Sequence, residues 1–423
     1  MSNTFKIALL WTISLSLFIV SASIADDQKK LRHPSYSLLG YNPPADSPLN
    51  PNFIIAQEAK MAHGALWNGG YISERLVGLD VGDATGDRSN DLVYASLNNV
   101  YLARRVGDGL EQLANFNVPP SLRILSIDFF DINGNGVNEI LVSCQKNGAG
   151  ASSYILAYEP GQKTLKIVSE FVPWYLRVYG PSGQKKLAVQ KSGTTTSVAY
   201  SGDVLSASVS QEGKVVTSGR LPLPFGVNLY NFNIGRIGPQ GQDFIAAVTF
   251  PDEHLKLFSG PSRDEIVGES PDEYCGTINY INMTTSPENG RDLEYLPSRI
   301  LFADIDSDGA NEVIVAKNKQ GGIPFMKNLR AFNGGIIEGM KFANLSLTPF
   351  FSSANLLPGP AVDYQLADLD NNGTKDLVVG VVIAPGSGMM ETGRSVIVSY
   401  SNLYSRDTQS PAPTQEAKKV PKK

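Results

Sequence analysis

The sequence predicts an all-β fold, a β-propeller of four-stranded blades, and three observations carry that reading. An apolar alternating run, a nine-residue turn rich in Asp, Asn and Gly, and a second apolar run recur four times. The copies are LVGLDVGDATGDRSNDLVYAS from Leu76, RILSIDFFDINGNGVNEILVS from Arg123, RILFADIDSDGANEVIVAK from Arg299 and DYQLADLDNNGTKDLVVGV from Asp363. Period-2 alternation bounded by turn residues is the pattern of antiparallel hairpins. A content of 40 Gly and 26 Pro in 423 residues suits a turn-rich chain better than a helical one.

The chain divides into four stretches. Residues 1–25 read as a secretory signal: Lys6 precedes an apolar run from Ile7 to Val20, and Ser23-Ile24-Ala25 supplies small residues ahead of Asp26-Asp27. Residues 26–64 form an N-terminal extension, and residues 65–404 hold the repeats. Residues 405–423, rich in Pro and Lys, bury too little apolar surface to offset the entropy of ordering and are expected to be a disordered basic tail. After signal removal no apolar run is long enough to span a membrane. The expectation is therefore an exported protein, secreted, periplasmic or attached to the cell surface.

Spacing sets the number of blades. The turns begin at Asp83, Asp131, Asp304 and Asp368, and the long middle interval has room for two more units. Weak copies stand there, WYLRVYGPSGQKKLAVQ from Trp174 and NLYNFNIGRIGPQGQDFIAAV from Asn228. One four-stranded sheet cannot hide both faces, and packing such sheets radially into a closed ring solves this while protecting their edges. Six blades is the reading; a seventh would form if residues 34–70 or 275–298 made another sheet. The last unit ends one strand short near Leu403, and the segment around Ala65-Leu66-Trp67 is the candidate to complete it.

The turns carry the chemistry. Counting from each first Asp, oxygen side chains recur at positions 1, 3, 5 and 9. Unit five has Asp304, Asp306, Asp308 and Glu312, and unit six has Asp368, Asp370, Asn372 and Asp376. Unit two has Asp131, Asn133, Asn135 and Glu139, and unit one has Asp83, Thr85, Asp87 and Asp91. Alternate side chains of a curled loop face one centre, and this many hard oxygens suit Ca²⁺. The competing reading is that these are good β-turns whose polar groups satisfy their own backbone. Unit one carries Arg88 where the others have Gly136, Gly309 and Gly373, which questions its turn geometry. Units three and four lack the ligands.

DINGNGVNE, DIDSDGANE and DLDNNGTKD resemble the calcium loops of FG-GAP/VCBS repeats, the repeats of integrin-α-type propellers and of uncharacterised secreted bacterial VCBS proteins. The resemblance spans roughly residues 72–403. It implies Ca²⁺ in structural rather than catalytic sites, and it conveys no activity.

A formal charge of −5 provides no basic field for nucleic acid. No G-x-S-x-G, H-E-x-x-H, P-loop or C-x-x-C motif occurs. The leading expectation is a calcium-binding scaffold for a protein or polysaccharide partner, with residues 259–298 and 317–328 as its recognition loops. The alternative is a propeller enzyme, a hydrolase or lyase of surface polysaccharide. Its mark would be carboxylates such as Asp252, Glu253, Glu273 or Asp292 converging on the central channel. Cys144 and Cys275 are expected as buried thiols rather than a pair, and Trp67 and Trp174 as packing residues. Asn282, Asn344 and Asn372 each open a glycosylation sequon, with Asn372 better used as a ligand.

Overall fold

The computed structural model describes residues 66–400, apart from 147–149, 182, 194–197, 238–242, 250–251, 260–263, 284–291, 321–329, 344, 354–356 and 385–392. The expected signal, the extension up to residue 65, Asn344 and the basic tail lie outside the described residues. Every regular element described is a strand. Blade 1 holds β2 (Gly78–Gly82), β3 (Asp91–Ala95), β4 (Asn99–Val106) and β5 (Gly109–Asn117). Blade 2 holds β6 (Leu122–Phe130), β7 (Glu139–Lys146), β8 (Ser153–Glu159) and β9 (Thr164–Val172). Blade 3 holds β10 (Tyr175–Tyr179), β11 (Lys186–Ser192), β12 (Tyr200–Val209) and β13 (Val215–Arg220).

Blade 4 follows with β14 (Phe232–Arg236), β15 (Asp243–Thr249), β16 (His254–Ser259) and β17 (Glu265–Glu273). A hairpin of β18 (Tyr280–Met283) and β19 (Asp292–Tyr295) stands between blades, so residues 275–298 do not build a seventh. Blade 5 holds β20 (Leu301–Ala303), β21 (Glu312–Gln320), β22 (Phe332–Ala343) and β23 (Ser346–Ser352). One parallel bridge, Glu269 to Ser346, links the outer edges of blades 4 and 5. Blade 6 holds β24 (Ala361–Ala367), β25 (Asp376–Ala384) and β26 (Arg394–Tyr400), and β1 (Leu66–Ile72) completes it. Leu66 pairs with Tyr400 and Ile72 with Ser395, so the first strand closes the last blade and ties the ring.

The core lies between blades rather than within them. Val93, Val100 and Leu102 of blade 1 meet Ile124, Ile127 and Ile140 of blade 2. Leu141 and Ile155 of blade 2 meet Leu176 and Val189 of blade 3, and Tyr179 and Ala188 meet Phe232 and Ile245 of blade 4. Val248 and Leu255 meet Phe302 and Val313 across the next boundary, and Ile314 and Ile337 meet Leu377 and Val379 across the one after. Trp67, Val378 and Ile397 of blade 6 meet Leu79 and Leu92 of blade 1, which closes the circuit. Each fully buried Leu, Ile or Phe in these seams contributes about 1.5–3 kcal/mol relative to exposure. Cys144 and Cys275 are separate, buried thiols in two of these seams.

The hairpin packs against blades 1 to 3 at one end of the ring. Asn279 Nδ2 donates to Val77 O just ahead of β2 (2.8 Å), and Gln145 exchanges two hydrogen bonds with the Asn282 backbone. Arg123 lies 3.8 Å over the Tyr280 ring, and Ile281 and Leu296 join Leu125 and Tyr175 in a buried cluster. These partners stand near the starts of the inner strands, or opposite one on the paired strand as Gln145 does with Arg123. Part of the stretch expected as a recognition loop is thus internal packing, because its apolar positions Ile281 and Leu296 are buried against blades 2 and 3. The inner strands run from this face to the opposite one, where the acidic loops lie.

Candidate metal loops and central channel

All four acidic loops share one backbone. Position 4 has positive φ in each: Gly86, Gly134, Ser307 and Asn371, with φ from 59 to 78°. Position 6 does so again: Arg88 at 68°, Gly136 at 87°, Gly309 at 88° and Gly373 at 90°. Arg88 therefore takes the turn that glycine takes elsewhere, at a steric cost of about 1–2 kcal/mol. The position-1 carboxylate holds this backbone. Asp83, Asp131, Asp304 and Asp368 each accept the position-6 N–H through Oδ2, at 2.8 to 3.0 Å, and further loop N–H groups through Oδ1. The position-9 carboxylate closes the loop, with Glu139 accepting from Ile132 N and Glu312 from Ile305 N. Asp91 accepts from Ala84 N and Thr85 N.

The loops differ in what faces their centres. In blade 5, Asp304, Asp306 and Glu312 each place an oxygen within 4.8 Å of the others. Lys341 Nζ reaches the same place, 2.6 Å from Asp306 and 2.8 Å from Asp308. In blade 1, the Arg104 guanidinium engages Thr85, Asp87 and Asp91 at 2.6 to 3.2 Å. Register explains both. Leu92 pairs with Ala103 and Val313 with Met340, so one step outward puts Arg104 and Lys341 opposite the closing carboxylates. In blade 2 the pair Ile140 to Leu156 puts Ala157 there, and Asn133 Nδ2 donates to Glu139 Oε1 instead (3.2 Å). In blade 6, Arg105 approaches Asp370 at 3.5 Å and Asp376 at 3.9 Å, while Asn372 Oδ1 accepts from Thr374 N. Asn135 Oδ1 similarly accepts from Val137 N. Burial pushes the Glu139 and Glu312 carboxyls above their ordinary range, and the backbone N–H bonds offset part of that rise.

A further loop residue escaped the sequence reading. Position 8 is Asn90, Asn138 and Asn311 in blades 1, 2 and 5. Their side-chain amides donate to the preceding blade's loop carbonyls: Asp368 O (2.8 Å), Asp83 O (3.0 Å) and Arg236 O (2.7 Å). The recurring Asn just before the closing carboxylate was its signal. In blade 6 this position is Lys375, which lacks the amide's place in that pattern.

Carboxylates do converge on the channel, but they are Asp80, Asp128 and Asp363. Arg299 of blade 5 reaches across to all three, binding Asp363 through Nε (2.6 Å) and a terminal nitrogen (2.8 Å), Asp128 at 3.1 Å and Asp80 at 3.8 Å. Arg177 stands 3.4 Å from Asp128, and Lys185 Nζ 3.1 Å from Asp80. Each carboxylate also accepts a neighbouring blade's N–H: Asp363 from Leu79, Asp80 from Phe129, Asp128 from Val178. Tyr364 OH donates to Arg299 O. Burial opposes ionisation of Asp80, but Lys185 and Arg299 override it and hold the carboxyl down to about 2. Burial likewise opposes charge on Arg299, and Asp363 and Asp128 raise it far above its ordinary value. Of the residues expected here, Asp252 pairs with Lys256 and Glu253 with Arg330, Glu273 is exposed at the end of β17, and Asp292 begins β19.

A cavity of about 340 Å³ opens above this cluster on the acidic-loop face. Val81, Val178, Ala303 and Ala367, at the far ends of inner strands, line it. Trp67 is buried under the Arg105 guanidinium, 4.8 Å from its ring, and Trp174 lies 5.2 Å from Lys191 Nζ.

Residues 83–142, from the blade 1 loop through the blade 2 loop, match the family model of the FG-GAP-like repeat. No curated protein matches the chain. Among solved structures, a luciferin-regenerating enzyme is similar at 9% identity, covering 80% of this chain and 95% of that one with a TM-score of 0.43. The PQQ-bound form of aldose sugar dehydrogenase from Streptomyces coelicolor is similar at 11% identity, covering 80% and 99%, with a TM-score of 0.39. The described residues form a β-propeller of six blades, and the first two acidic loops match an FG-GAP-like repeat.

Proposed function

We propose that this chain is an exported, calcium-stabilised propeller that acts as a binding scaffold for a protein or polysaccharide. The observation that carries the metal reading is the Asp304, Asp306 and Glu312 oxygen group on a loop without His or Cys. Three carboxylates of this loop face Lys341 and Asp304 adds a fourth, so an excess of negative charge remains for a divalent cation. The long, partly exposed Lys341 side chain can swing off as Ca²⁺ enters. Blade 1 differs: Arg104 already binds every ligand side chain except Asp83, so this loop needs no ion. The blade 2 and blade 6 loops keep oxygen ligands and would fill after blade 5. Bound only by the folded state, Ca²⁺ adds about 3 kcal/mol when present at a hundred times its Kd.

The binding reading is favoured over catalysis by the channel chemistry. Asp80, Asp128 and Asp363 are ion-paired and hydrogen-bonded to backbone, which removes them from acid–base work. The test is thermal unfolding with a chelator, then with Ca²⁺ or Mg²⁺ restored. Melting temperature is expected to fall in chelator and recover with Ca²⁺ over Mg²⁺, and the Asp306→Ala, Asp370→Ala double variant to lose most of that response. A melt indifferent to chelator would end the calcium reading.

A further inference from the structure

We propose that the channel cavity on the acidic-loop face is a binding site for a small carboxylate-bearing ligand of about monosaccharide size. This rests on the scaffold reading above and gives it a ligand class. The ion-paired cluster of Arg299 with Asp80, Asp128 and Asp363 lies beneath the cavity. Its volume, about 340 Å³, exceeds the room a bare ion needs and falls at the lower end of small-molecule pockets.

The lining itself presents more cations than carboxylates. Arg177, Lys185, Arg299 and Lys375 line the cavity, against the single carboxylate of Asp368. Both Asp368 oxygens are engaged by loop N–H groups, those of Asn372 and Gly373. Behind the wall, Asp80, Asp128 and Asp363 balance Arg177, Lys185 and Arg299. Lys375 is exposed and stands where the other acidic loops have their stapling Asn, so the repeat's own rule is broken at the lip of this cavity. Arg177 meets Asp128 through one nitrogen at 3.4 Å, which leaves the rest of its planar fork toward the cavity it lines. A guanidinium fork with one ammonium nearby matches a carboxylate, a planar monoanion, better than a tetrahedral dianion.

The experiment is calorimetric titration of the full chain, at low salt with Ca²⁺, using D-glucuronate, D-glucose and inorganic phosphate. Glucuronate is expected to bind about tenfold tighter than glucose, since only it pairs with the cations. Lys375→Gln should weaken glucuronate about fivefold without moving the melting temperature, and Arg177→Gln should weaken it further. Equal affinity for glucuronate and glucose, or an unaffected Lys375→Gln, overturns the proposal. Phosphate binding tighter than glucuronate overturns the carboxylate assignment in favour of a free phosphate ion. Repeating the titration in chelator separates the two readings. A calcium-dependent melt without glucuronate preference ends the pocket alone, and glucuronate binding with a chelator-indifferent melt ends the calcium reading alone.

Discussion

At residue scale, the acidic loops show how one backbone tolerates different chemistry. Arg88 keeps the left-handed turn that Gly136, Gly309 and Gly373 adopt freely. Replacing Arg88 with Gly relieves a steric cost, and the expected gain is about 1 kcal/mol, less what glycine adds to unfolded-state entropy. Chemical denaturation checks this; a loss of stability would mean that the Arg88 side chain holds the loop. Arg104 is the more consequential residue. Removing it as Arg104→Gln leaves buried Asp91 without its cation and should cost about 2–4 kcal/mol in chelator, with part of the loss recovered by Ca²⁺. Unchanged stability in chelator would refute its role as the built-in cation. The shared turn of these loops was legible from spacing, since alternate oxygens and a carboxylate at position 9 are local features. Arg104 and Lys341 were not, because their place depends on strand register some thirteen to thirty-five residues away.

At element scale, blades are joined by seams of apolar side chains and by polar staples at the rim. Asn138 donates through both backbone N (2.7 Å) and side chain to Asp83 O, fastening the blade 2 loop to that of blade 1. Asn138→Ala deletes the amide and should lower stability by about 1 kcal/mol, with amide exchange in residues 83–91 rising before that in β3. Equal protection in both proteins would show that the staple carries no load. Four-stranded blades were readable because alternation and turn residues are written into each unit. The completion of blade 6 by β1 followed from counting strands. The packing of the β18–β19 hairpin was not readable: its apolar residues, Ile281 and Leu296, gain meaning only from the blade surface they cover.

At the scale of the whole molecule, Arg299 is a strut across the channel joining blade 5 to blades 1, 2 and 6. Asp363→Asn removes one partner from a buried ion pair and should cost about 3–5 kcal/mol in denaturant unfolding. A cost under 1 kcal/mol would mean that Asp80 and Asp128 suffice. The strut also sets an acid limit. Asp80 has its carboxyl lowered from 3.8 to about 2, so its contribution is complete above pH 4 and is lost as pH falls through about 2. Melting temperature should therefore drop over that interval, and Asp80→Asn, already lacking the charge, should show a smaller drop. This centre was invisible in the repeat pattern. Arg299 opens the unit that Arg123 opens elsewhere, and the sequence distinguishes neither from an ordinary strand residue.

The central claim is that the acidic loops divide between calcium and built-in cations. A crystal structure grown in Ca²⁺ tests it most directly. The expected result is an ion among Asp304, Asp306, Asp308 and Glu312 with Lys341 turned away, and the Arg104 guanidinium still seated in the blade 1 loop. An empty blade 5 loop, or an ion in blade 1 with Arg104 displaced, would contradict it.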